Sequence, residues 1–139
     1  MVFCALPLCA FDFSYGSYFR VDGISQTQDG VKLPLARKKY ANLKMLSSAV
    51  YRTLAACKQD CSQEVSRMQF NIGDWRKAKT REGMLIADVE FNGQWAVTFL
   101  VFKNKEGFGV KTPEHFTFTD KKLEQEVQAS LSALAEEHL

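Results

Sequence analysis

The chain has 139 residues, 46% of them hydrophobic and 24% charged, a balance ordinary for one globular domain that can bury its own core. Its net charge of +2 conceals 16 Lys and Arg against 10 Asp and Glu over residues 1–111, a balance of +6, and 2 against 6 over residues 112–139, a balance of −4. So mildly basic a body disfavours a dedicated nucleic-acid binder, and no apolar run reaches the ~18–20 residues of a membrane span.

Residues 1–10, MVFCALPLCA, read as the remnant of a secretory signal. They supply an apolar stretch and a small residue, Ala10, at the cleavage point, but lack the basic start. On this reading the domain is 11–139 and the protein is periplasmic or secreted. The alternative is a buried first strand in a cytoplasmic protein.

From Phe11 to Val21 the odd positions are apolar except Ser17 and the even ones mostly polar, the period of a half-buried strand. Asp22 with Gly23, and Asp29 with Gly30, read as two-residue hairpin turns. Together they predict a three-stranded meander with Phe19, Val21, Ile24, Val31, Leu33 and Leu35 on one face. ARKKYANLKML, residues 36–46, is ambiguous. Ser47 or Ser48 reads as an N-cap, followed by a helical stripe of Val50, Leu54, Cys57 and Cys61 that ends near residues 58–62. Met68, Phe70 and Ile72 alternate as a strand, and GDWRKAKTREG reads as a polar connection. MLIADVEF and QWAVTFLVF are joined by Asn92 and Gly93, the strongest short hairpin signal in the chain. FGVKTPEHFTF is a strand interrupted at Pro113. Thr119 or Asp120 then caps a last helix with the stripe Leu123, Val127, Leu131 and Leu134.

The order is βββ-α-ββββ-α. It defines an α+β domain, an antiparallel sheet of about seven strands, curved or in two sections, with two amphipathic helices packed on it.

Chemistry-bearing residues are sparse. Cys57 and Cys61 are too far apart for a disulfide within a regular helix, but the bond becomes feasible if the helix ends between them. They are also the even pair left once residues 1–10 are removed. His115 and His138 offer no second close-spaced pair, so no metal site and no cofactor is expected. WRKAKTR places Arg76, Lys77, Lys79 and Arg81 beside Trp75, which suits an anion or a phosphate with a stacked base. The ordinary alternative is a solvated loop. A two-residue turn at Asn92 and Gly93 puts Met84, Ile86, Asp88 and Glu90 on one face with Trp95, Val97, Phe99 and Val101. That face is too apolar for solvent. It is read as a pocket or partner surface with Asp88 and Glu90 at its rim, the alternative being internal packing.

The sequence therefore points to a small exported domain, leaning non-enzymatic, that binds an apolar or amphipathic small ligand or a protein partner. The alternative is a cytoplasmic interaction protein or an anion- or nucleic-acid-binding module using the basic stretch at 75–81.

Overall fold

The computed structural model of the protein describes residues 10–36 and 41–139. Residues 1–9 of the leader-like stretch lie outside them, as do residues 37–40 of the ambiguous stretch. The first alternating run forms two strands, β1 (Ala10–Tyr15) and β2 (Phe19–Thr27), joined by a turn at Gly16, Ser17 and Tyr18. A three-residue turn restores the alternation, so Tyr15 pairs with Phe19 and both side chains are buried. The expected single strand over 11–21 is thus broken, while its apolar face survives intact.

Asp22 and Gly23 do not form the expected turn. Phe11 pairs with Ile24 and Phe13 with Val21, so β2 uses one more residue than β1 over this stretch. Gly23 has φ +73, the positive φ that a tight hairpin and a glycine bulge both need. Asp-Gly therefore reports the backbone sign and not the element. The bulge brings Val21 and Ile24, three residues apart, onto the same buried face. At the next turn Thr27 pairs with Gly30, the first residue of β3 (Gly30–Lys32). The turn therefore holds Gln28 and Asp29, one residue earlier than the sequence predicts. The Thr27 hydroxyl fixes it, accepting from the Asp29 N–H at 3.2 Å and donating to the Gly30 carbonyl at 3.1 Å. Val31 and Leu33 still pack against the core, but Leu35 is 45% exposed and leaves the expected face.

The expected sheet, curved or in two sections, is two separate five-stranded sheets among the described residues. In the first, the order is β10 (Phe116–Phe118), β2, β1 and β5 (Cys61–Gln63), with β3 also on β2. Only β5 on β1 is parallel there. The second has the order β4 (Leu43–Met45), β8 (Trp95–Asn104), β7 (Met84–Phe91) and β6 (Phe70–Lys77), with β9 (Gly107–Lys111) also on β8. The interrupted strand expected over 108–118 is therefore two strands, one in each sheet. β6 runs on through Trp75, Arg76 and Lys77 where a polar connection was expected, past a bulge between Ile72 and Trp75. Its polar second half is the exposed end of an edge strand, which carries no apolar requirement.

Between β7 and β8 the loop holds three residues, Asn92, Gly93 and Gln94, not two, and Phe91 pairs with Trp95. The cause is long-range. The Asn92 amide accepts from the Gln69 N–H at 2.8 Å and donates to the Arg67 carbonyl at 2.8 Å and to the Tyr15 hydroxyl at 3.0 Å. The Tyr15 hydroxyl in turn donates to Gln94. One extra loop residue moves every β8 side chain to the other face relative to β7. Leu85, Ala87, Val89 and Phe91 consequently share the buried face with Trp95, Val97, Phe99 and Val101.

Helix α1 (Ser48–Ala55) begins at an N-cap on Ser47, whose hydroxyl accepts from the Val50 N–H. It ends at Ala56, earlier than expected, because the Gln26 side-chain amide donates to the Leu54 and Ala55 carbonyls and to that of Cys57. Helix α2 (Lys121–His138) is capped by Asp120 and buries Leu123, Val127, Leu131 and Ala135, with Leu134 only partly covered. It packs on β7, β8, β9 and β10. The two sheets meet through aromatic rings, Phe13 on Trp95 at 5.8 Å and Phe19 on Phe91 at 5.1 Å. No helix among the described residues is long and apolar enough to cross a membrane.

Candidate functional site

The eight residues read as a binding face do not form one surface. Trp95, Val97, Phe99 and Val101 lie in the core, and Trp95 is 0% exposed. Met84, Ile86, Asp88 and Glu90 project from the opposite face of the sheet and are half-buried. There Met84 pairs with Phe102 and Ile86 with Leu100, giving a short apolar row on the outer face. Asp88 accepts from the Thr98 hydroxyl at 2.7 Å and lies 3.9 Å from the Lys44 ammonium. Glu90 folds over Gly73, where a Cβ would meet its carboxylate at 2.5 Å.

The basic stretch is divided by the strand it belongs to. Trp75 pairs with Ala87 and Lys77 with Leu85, so both point to the α2 side, whereas Arg76 pairs with Ile86 and points to the outer face. Trp75 is 38% exposed and its ring stacks on His138 at 4.2 Å. Lys79 is exposed and outside the groove described next.

An open groove of about 640 Å³ lies where β6 passes into β7, its charged walls Lys77, Arg81, Glu82, Lys103 and His138. Two backbone bonds build it. The Ala78 N–H donates to the Met84 carbonyl at 2.9 Å, closing the loop, and the Lys103 N–H donates to the Gly83 carbonyl at 2.8 Å, drawing the end of β8 beside it. The ion pairs among the described residues join Lys44 to Asp88, His115 to Asp22 and His138 to Glu137. Lys77, Arg81 and Lys103 thus have no carboxylate within 4.0 Å among those residues. Met84 lines the groove at the end of the sheet and also starts the outer apolar row with Phe102. Sequence reading found Lys77 and Arg81 through their local charge density. It missed Lys103 and His138, which a strand end and a helix end deliver from far along the chain.

Cys57 and Cys61 are at disulfide distance, with sulfurs 2.03 Å and Cα atoms 6.1 Å apart, just after the end of α1. A pair so placed points to an oxidising compartment. His115 adopts φ +68 and its Nδ1 lies 2.9 Å from the Asp22 carboxylate, beside the Gly23 bulge. Both are more than a third exposed, a surface pair that ties the approach to β10 onto β2. Among the described residues no three His, Cys, Asp or Glu side chains come together as a metal site.

Comparison with family models, curated proteins and solved structures finds no match.

Proposed function

We propose that this chain is a small exported binding domain, without catalytic activity, that receives an amphipathic anion at the β6–β7 end of the second sheet. The observation that carries this reading is the trio Lys77, Arg81 and Lys103 around one groove, without carboxylate partners within 4.0 Å among the described residues, next to an exposed Trp75. A ligand's charged group would neutralise these cations. Its apolar part would pass Met84 at the end of the sheet and lie on the outer face, along Phe102 and on towards Ile86 and Leu100. Exposed cations attract an anion weakly and in a salt-dependent way, so the apolar row supplies the rest of the affinity. Export is supported by the cysteine pair at 57 and 61.

Calorimetric titration with dodecyl phosphate below its micelle concentration tests the reading, with inorganic phosphate and a neutral dodecyl glycoside as the two half-ligands. Saturable binding of dodecyl phosphate that weakens with salt is expected. Replacing Lys77, Arg81 and Lys103 together by Ala should weaken it at least about ten-fold, the equivalent of ~1.4 kcal/mol. Equal binding of the neutral glycoside, or no effect of the triple substitution, overturns it.

A further inference from the structure

We infer that the first half of β6 is a docking edge for an extended peptide of a partner protein, which would add as a further strand in the trough between β6 and α2. This goes beyond the anion groove and uses different residues. β6 pairs with β7 on one side, and no described strand pairs with its other side. The Asn92 N–H donates to the Gln69 carbonyl at 2.7 Å, which makes Gln69 and Asn92 a hydrogen-bonded pair. Antiparallel ladders alternate bonded and non-bonded pairs, so the N–H and C=O groups of Phe70 and Ile72 point outward, away from β7. Among the described residues nothing bonds them.

Natural edges are usually blunted by a bulge or by charge. β6 carries both, but only in its second half: the bulge between Ile72 and Trp75, then Arg76 and Lys77. The first half, Phe70, Asn71 and Ile72, carries neither. Helix α2 packs chiefly on β7 to β10, and Phe70 and Ile72 are only half-buried. The space between is an open groove of about 650 Å³ with Tyr18, Met68, Phe70 and Leu123 as its apolar walls, within the ~300–1,000 Å³ of ligand sites.

The walls also state the occupant's chemistry. Asp120 and Glu126 outnumber Lys122 along the groove, and Glu126 has no cation within 4.0 Å among the described residues. An extended segment with an apolar side chain towards Phe70 and Leu123 and a Lys or Arg towards Glu126 fits both the hydrogen-bonding edge and the charge. This is strand addition, in which main-chain bonds give affinity and alternate side chains give specificity.

The test is selection of a displayed random nonapeptide library on the full chain, followed by amide hydrogen exchange with a selected peptide bound. Enrichment of β-prone peptides carrying Lys or Arg is expected, with slowed exchange at the Phe70 and Ile72 amides. Ile72→Pro removes an outward N–H and no bond to β7, and should weaken binding up to about ten-fold, the worth of one hydrogen bond. Glu126→Lys, on an exposed helix position, gives the same direction without touching the strand. The Lys77, Arg81 and Lys103 triple variant should bind the peptide unchanged, which separates this inference from the anion reading. A library without binders, protection that misses residues 70 and 72, or a β6-mediated dimer of the chain in sedimentation would each overturn it.

Discussion

Tyr15 shows how one side chain can join distant parts of this fold and give it a pH limit. Its ring is buried between the sheets, stacked on Phe19 at 4.7 Å, and its hydroxyl meets Asn92 and Gln94. Burial raises its pKa above the ordinary 10.0, and the Asn92 hydrogen bond only partly opposes that. The folded state therefore holds the phenolic proton more tightly than the unfolded chain does. Stability from this group is full below pH 10 and is lost as pH rises from there to the raised folded value. Denaturant midpoints of the wild type should fall faster as pH rises above 10 than those of Tyr15→Phe, and parallel profiles would refute the assignment. Trp95 makes a simpler case. It is wholly buried against Phe13 and Phe19, with its indole N–H unpartnered among the described residues. Trp95→Ala should cost about 3–5 kcal/mol in a urea melt, as aromatic truncation in a core does. A loss under about 1 kcal/mol would show that the site is not core.

At the scale of elements, what could be read from sequence was what is settled locally. Ser47 and Asp120 cap their helices through bonds only three residues long. The alternation in β1 and β2 names its buried residues correctly. What could not be read was set from far away. The length of the β7–β8 loop depends on Asn92 reaching Arg67 and Gln69, more than twenty residues back, and Tyr15, 77 residues back. Strands β4 and β5 are three residues long and exist because β8 and β1 offer them an edge; so short a run shows no period. The turn after α1 lies between these extremes, since Gln26 stops the helix early and lets Cys57 and Cys61 approach. Trypsin cleaves after Lys58, so unreduced protein should yield fragments 53–58 and 59–67 as one linked mass that separates on reduction. Separate fragments carrying free thiols would contradict the pairing. Closing a five-residue loop stabilises by about 2 kcal/mol on the chain-entropy estimate, and reductant should lower the denaturation midpoint accordingly.

At the scale of the whole molecule, strand alternation marks faces but does not say which strands become neighbours. The ten strands among the described residues divide into two sheets whose apolar faces close on each other and on the helices. The candidate anion groove was legible only as the charges at 75–81. The fold sends Arg76 to the other face, leaves Lys79 outside and adds Lys103 and His138. If the groove acts as proposed, its affinity should fall steeply from about 20 to 200 mM salt as screening shortens the reach of its exposed cations, whereas strand addition at β6 should change far less. Identical salt slopes at the two sites would argue against separate modes of recognition.

The contrasting burial of the two tryptophans makes the protein its own optical instrument. Trp95, sealed in the core, should emit in the blue and shift only when the molecule unfolds. Trp75, 38% exposed and stacked on His138 at the groove wall, should emit further to the red and remain open to aqueous quenchers. Iodide should quench one part of the emission and spare the other, and Trp75→Phe should leave only the protected part. A ligand seated in the groove should shield Trp75 without altering Trp95, so one unlabelled sample can report occupancy and folding as separate signals. Uniform quenching of the whole emission in the native protein would show that the two indoles are not partitioned in this way.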